Sequence, residues 1–158
     1  MQNNQSIIQD LNLVLTSKLT SINQYFLHAR ICKDWGLTQL DKVYYKKSIK
    51  DMKHSDSLIE RILLLGGLPN LQALGRLNIG EDTSEVLACN LTFQNEMQNV
   101  IRITVEKCES AQDYVSRDLL IELLEYEEET MDWIETQQSL IKDISIQNYI
   151  QSQIGENS

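Results

Sequence analysis

The chain has 158 residues, 42% of them hydrophobic, with a formal net charge of −9 and an isoelectric point near 4.7. That length supports one sizeable core and is too short for two, so a single domain over residues 1–158 is expected. The acidic balance disfavours nucleic acid as a partner, and the lack of an apolar run of about 18 residues or of a secretory segment in the polar Met1–Asp10 stretch predicts a cytoplasmic protein with no membrane partner.

A single Pro and six Gly leave long stretches with nothing to interrupt a helix, which points to an all-α fold. Leu11, Leu15, Lys18, Ile22, Tyr25, Ala29 and Cys32 recur at steps of four and three, predicting a first helix over about Ser6–Trp35, ended by Gly36. Thr38 with Asp41 reads as a capping box opening a second helix to about Leu65, with the stripe Tyr44, Lys47, Asp51, His54, Leu58, Ile62 and Leu65. Four of the six Gly and the only Pro fall within Gly66–Glu81. This connection can run beside a helix of roughly 40 Å, which lets helices two and three lie parallel, as in ferritin-like four-helix bundles with one long crossover.

Asp82 with Glu85 is a second capping signal, followed by the stripe Leu87, Leu91, Gln94, Met97, Ile101, Val105 and Cys108. The run Cys108–Asp113 has neither Gly nor Pro, so the start of the fourth helix is not marked. Its stripe is Leu120, Leu124, Glu127, Met131 and Ile134, and a short amphipathic fifth helix is expected over Ile146–Ile154. Cys32, Cys89 and Cys108, odd in number and widely spaced, are expected to be packing residues rather than disulfide or zinc ligands.

Each stripe carries a polar member: Lys18, then Asp51 with His54, then Gln94, then Glu127. These predict a polar layer inside the bundle. The spacing of Asp51 and His54 puts a carboxylate and an imidazole on one face, where both reach one cation. Helix four reads Glu127-Glu128-Glu129-Thr130 at the corresponding place, and a hydroxyl is a poor substitute for an imidazole as an iron ligand. Beside the ligand stripe, Tyr45, Ile49 and Met52 on helix two and Leu19, Asn23 and Phe26 on helix one turn away from the core, which suggests a subunit interface. Lys46, Lys50 and Lys53 read by spacing as a solvated face.

INQYFLHAR (Ile22–Arg30), DMKH (Asp51–His54), GLPNLQ (Gly67–Gln72), LNIGED (Leu77–Asp82), DYVSRDLLIE (Asp113–Glu122) and QNYIQSQI (Gln147–Ile154) resemble, in order and over almost the whole chain, segments of the bacterioferritins. The resemblance implies iron storage in a shell of 24 subunits around a ferric mineral, with haem b at each two-fold interface. It assigns Met52 as the axial haem ligand and Leu19, Ile22, Asn23, Phe26, Tyr45, Ile49 and Leu71 to the haem pocket. It also places Lys46 and Lys50 on the cavity wall, and it likens the surface at Leu68, Pro69, Asn70 and Glu81 to a docking region for a small iron-sulfur ferredoxin.

The departures bear on catalysis. The family pattern has carboxylates at Lys18, Asp51, Gln94 and Glu127 and histidines at His54 and Thr130, so three of six dinuclear ligands are replaced. Lys18, Asp51 and Glu127 sum to −1, a layer that needs no pair of ferrous ions. The expectation is that the Lys18 ammonium pairs with Asp51 and Glu127 and that no residue is catalytic; the shell is left open as homo- or hetero-oligomeric, with co-assembly of a catalytic bacterioferritin paralogue that supplies iron oxidation as the preferred reading. Two alternatives stand beside it: Lys18 turned away with one metal held by His54 and Glu127, and an active ferroxidase oxidising Fe(II) to Fe(III) at an altered site. A DNA-protecting mini-ferritin is disfavoured by the acidic balance and the short fifth helix.

Overall fold

The computed structural model describes residues 2–155. They form α1 (Gln2–Asp34), α2 (Thr38–Leu64), α3 (Thr83–Ser110), α4 (Tyr114–Ile144) and a short α5 (Ile146–Gln153). The first helix begins at Gln2 rather than near Ser6, because its backbone continues for more than a turn beyond Ile7, the first buried apolar residue, where no stripe marks it.

Three helices end in the same way. In each, a residue in the left-handed region lets the last carbonyls accept from the two following amides, the pattern of a Schellman motif. Gly36 (φ 82°) ends α1 with Leu37 N–H on Cys32 O, and Gly66 (φ 87°) ends α2 with Gly67 N–H on Ile62 O. The third stop uses Gln112 (φ 61°), with Asp113 N–H on Cys108 O at 2.9 Å. A glutamine in that conformation is why the boundary between α3 and α4 leaves no mark in the sequence.

The helix starts divide differently from expectation. Asp82 caps α3, accepting from Glu85 N–H at 2.8 Å, and Asp113 caps α4 by accepting from Ser116 N–H at 3.1 Å. The expected box at Thr38 does not form. Leu37 occupies the cap position with no side-chain bond, and the Thr38 hydroxyl instead accepts from Gly155 N–H at 2.6 Å, tying the end of the chain to the start of α2.

Contacts fix the topology. Ser48 Oγ donates to Ile22 O at 2.9 Å and Lys18 meets Asp51, so α2 runs antiparallel to α1. Tyr25 meets Gln94 and Asp10 meets Lys107, so α3 is antiparallel to α1 as well, and therefore parallel to α2. The crossover between them is held by a ladder of α1 side chains. Asn12 accepts from Asn70 N–H (2.8 Å), Thr20 from Gly75 N–H (2.8 Å), Gln24 from Asn78 N–H (3.0 Å) and His28 Nε2 from Gly80 N–H (3.1 Å). A segment without helix or strand must find partners for its amides, and here one helix face supplies them.

Two apolar clusters fill the bundle. One holds Leu11, Leu15, Leu58, Ile62, Met97, Ile101 and Leu120; the other holds Tyr25, Ala29, Cys32, Leu40, Tyr44, Leu87, Ile134 and Tyr149. The polar layer lies between them. Cys32 and Cys108 are buried and Cys89 half-buried, all three free thiols, with burial pushing the Cys32 thiol up to about 12 and Cys108 to about 11.

Candidate functional site

Each of the four long helices contributes to the layer: Lys18, Ser21 and Tyr25 from α1, Lys47, Asp51 and His54 from α2, Gln94 and Gln98 from α3, Glu127 from α4. All are buried. Lys18, Asp51, His54, Gln94 and Glu127 are brought together as their stripes imply, and Lys18 does not turn away.

The centre is a ring of alternating charge. Lys18 Nζ donates to Asp51 Oδ1 at 3.0 Å and to Glu127 Oε1. Lys47 Nζ bridges the same two oxygens from the other side, 2.6 Å from Asp51 Oδ1 and 2.9 Å from Glu127 Oε1. Two ammoniums and two carboxylates sum to zero, so the sequence-based net of −1 is corrected by a lysine it did not count. Burial alone would raise the Glu127 carboxyl, but Lys47 and Lys18 prevail and hold it down at about 2. Burial opposes the Lys47 ammonium in turn, and Asp51 and Glu127 overcome that and raise it above its ordinary value.

The remaining acceptor sites are filled as well. Ser21 Oγ donates to Asp51 Oδ2. Gln94 Nε2 donates to Glu127 Oε2 at 2.6 Å and its Oε1 accepts from Tyr25 OH at 2.8 Å; Gln98 Nε2 reaches Glu127 O at 3.3 Å. A carboxylate at position 94 would face Glu127 with like charge, whereas the amide offers a donor. His54 Nδ1 lies 2.9 Å from Lys18 Nζ and so accepts from the ammonium. Burial and the Lys18 charge lower this imidazole to about 3, keeping it neutral. Its ring stands edge-on to Tyr126 at 5.0 Å.

Asp51, His54 and Glu127 have ligating atoms within 4.8 Å of one another, the arrangement of a metal site. A two-iron centre does not fit the donors present. Both positions bridging Asp51 and Glu127 are taken by Nζ atoms, the His54 lone pair is engaged, and two ferrous ions would add about +4 to a neutral buried layer. Thr130 stands apart from the ring. Its hydroxyl donates to Tyr126 O at 3.2 Å, and its side chain lines a cavity of about 320 Å³ between α2 and α4, beside Tyr126 and Trp133.

The residues expected at an interface form a different surface. Phe26 (47% exposed), Tyr45 (41%) and Met52 (54%) are open to solvent on α1 and α2, and Leu71 on the crossover is 55% exposed. Leu19, Ile22 and Ile49 are half-buried, and Asn23 is exposed. The Phe26 and Tyr45 rings lie 6.0 Å apart, with the Arg30 guanidinium over both. The Met52 thioether is exposed, and thioether sulfur is a chemically suitable axial ligand for a haem iron; Phe26 and Tyr45 add aromatic surface to the same two helices.

Four contributors were not singled out by the sequence: Lys47, Ser21, Tyr25 and Gln98. Tyr25 and Lys47 stand in the stripes themselves, and Gln98 follows Gln94 by one turn, so helical spacing carried a signal for these three.

The ferritin family model, described as a ferritin-like domain, matches residues 8–144. Among curated proteins, the chain is 38% identical over 155 residues to "Bacterial ferritin" of Neisseria meningitidis, covering 98% of this chain and all of the relative. It is 39% identical over 149 residues to "Bacterioferritin" of Brucella melitensis, covering 94% of this chain and 92% of the relative. To "Bacterioferritin" of Mycobacterium leprae it is 36% identical over 149 residues, 94% of each. Near-complete coverage at these identities, on a five-helix fold with one long crossover, places the chain in the bacterioferritin family of iron-storage proteins.

Proposed function

We propose that this chain is a haem-binding storage subunit, one domain over residues 1–158, that has no ferroxidase activity of its own. The observation that carries the reading is the pair of buried ammoniums, Lys18 and Lys47, each bridging Asp51 and Glu127. They neutralise the carboxylates from inside the fold, so no site with two labile iron positions remains to bring Fe(II) and an oxidant together.

On this reading iron is cargo. The subunit sits in a cytoplasmic 24-subunit shell whose oxidation step is supplied by a catalytic bacterioferritin paralogue. Haem b at the two-fold interface supplies one-electron chemistry when bound; Met52 would hold its iron, with Leu19, Ile22, Asn23, Phe26, Tyr45, Ile49 and Leu71 forming the walls. The surface at Leu68, Pro69, Asn70 and Glu81 would receive a small ferredoxin. In support, no helix among the described residues is long and apolar enough to cross a membrane, and the Met52 face is open and largely apolar.

A second reading, a ferroxidase at an altered site, is favoured by the closeness of Asp51, His54 and Glu127. Stopped-flow oxidation of Fe(II) by the purified homopolymer separates the two. The proposal expects only slow, non-saturating oxidation; fast turnover that saturates at a few irons per subunit would establish the enzyme.

A further inference from the structure

We propose that the lysine-lined cleft beside Tyr126 is a binding site for inorganic phosphate. The cleft has a volume of about 370 Å³ and is lined by Lys46, Ile49, Lys50, Lys53 and Tyr126. Among the described residues no acidic side chain lines it.

Its charge is unusual for this chain. Residues 42–53 hold five of the 14 basic residues (Lys42, Lys46, Lys47, Lys50 and Lys53) in a protein of net charge −9. The one acid in that stretch, Asp51, is buried and turned inward onto Lys18 and Lys47. Among the described residues, Lys46, Lys50 and Lys53 have no carboxylate within ion-pair distance. Three lysines therefore line one concave space, and among the described residues none of them is held in an ion pair.

Tyr126 closes the floor. Lys50 Nζ lies 5.8 Å from its ring centroid, while Lys47 and Lys18, at 5.1 and 5.7 Å, belong to the neutral layer. The ring thus separates a neutral interior from a positive cleft. An apolar wall behind charges of one sign focuses their field outward and concentrates counter-ions in the cleft. Cations are repelled from such a place. A phosphate, with about two negative charges and several acceptor oxygens, matches lysines spaced at i, i+4 and i+7 on one helix face, each acting as a point charge on a flexible stem. One consequence rests on the storage reading: a phosphate held there turns its remaining oxygens to ferric ions, which take hard oxygen ligands. The binding step itself does not depend on that reading.

The test is equilibrium dialysis of inorganic phosphate against iron-free assembled protein at low ionic strength. Saturable uptake near one phosphate per subunit is expected, weakened about tenfold in a Lys50→Gln/Lys53→Gln variant and unchanged by Lys42→Gln, which lies outside the cleft. All three substituted lysines are exposed, so the bundle is retained, and circular dichroism confirms it. Absence of saturable uptake by the wild type, or equal weakening by both variants, would overturn the proposal; so would lysine-dependent capture of a short DNA duplex without capture of inorganic phosphate. Iron loading measured in phosphate-free buffer reports on the storage role separately, so the two ideas fail independently.

Discussion

Lys47 and Asp51, one turn apart on α2, meet at 2.6 Å in the buried interior of the bundle. On an exposed helix a basic residue preceding an acidic one by four is the weaker orientation for such a pair. Here local helix energetics do not explain it. Both side chains turn inward because Lys18 and Glu127 complete the ring, so the pair exists through residues on two other helices.

Removing one member leaves an uncompensated charge in the interior. Lys47→Met is expected to lower stability by about 3–5 kcal/mol, read as a shift in urea unfolding. Adding Glu127→Gln removes the charge that Lys47 balanced, so the double variant should be more stable than the sum of the single changes implies. Simple additivity would mean that the two do not interact.

The second lysine also governs any attempt to restore a metal centre. A Lys18→Glu/Gln94→Glu/Thr130→His variant regains the ligand types expected of the family but keeps the Lys47 ammonium between Asp51 and Glu127. Saturable ferroxidase activity should stay absent until Lys47 is replaced as well. Rapid oxidation by the triple variant would show that Lys47 moves aside for iron.

Acid should destabilise the bundle in two stages. His54 is held at about 3 against an ordinary 6.5, so below 6.5 the unfolded chain takes up a proton that the folded chain refuses, and stability falls from pH 6.5 towards 3. His28, lowered chiefly by burial, acts in the same direction. Glu127, at about 2 against 4.5, contributes stability that is present above 4.5 and lost as the pH falls through 2. Urea midpoints measured against pH should show both segments, and His54→Gln should flatten the decline between 6.5 and 4.5.

Met52→Leu should remove haem while leaving the subunit folded. The side chain is 54% exposed and takes no part in the core. The measurement is the haem-to-protein ratio and visible spectrum after reconstitution, and wild-type values in both would exclude a ligating role.

Gly80→Ala is expected to be destabilising by about 1–3 kcal/mol through overpacking. A Cβ there would come within 2.4 Å of Val86 N and 2.6 Å of Val86 Cα, backbone atoms that cannot rotate away. Thermal unfolding should register the loss, and an unshifted midpoint would mean that the start of α3 has room to move.

Much of this was legible in the sequence, for identifiable reasons. Long stripes with few breaks gave the helices, the Gly and Pro cluster gave the crossover, and Lys18 stood out because a lysine in an apolar row has no bland place to go. Lys47 did not stand out. It stands in the inward stripe with Asp51 and His54, but it sits among Lys46, Lys50 and Lys53, which read as a solvated face, and its partner Glu127 lies eighty residues away in the chain. Thr38 misled because a correct local signal was overridden by a partner at the far end of the chain, Gly155. Gln112 hid a helix end because the backbone there adopts a conformation usually left to glycine.

The ladder from Asn12 to His28 also bears on how the chain meets proteases. A long connection without helix or strand is ordinarily where a protease cuts first, since cleavage needs an extended backbone free to enter a foreign active site. Between Asn70 and Gly80 several amides are already held by α1. Cutting there requires the crossover to peel away from the helix, so resistance at this segment becomes a direct gauge of whether the bundle is intact.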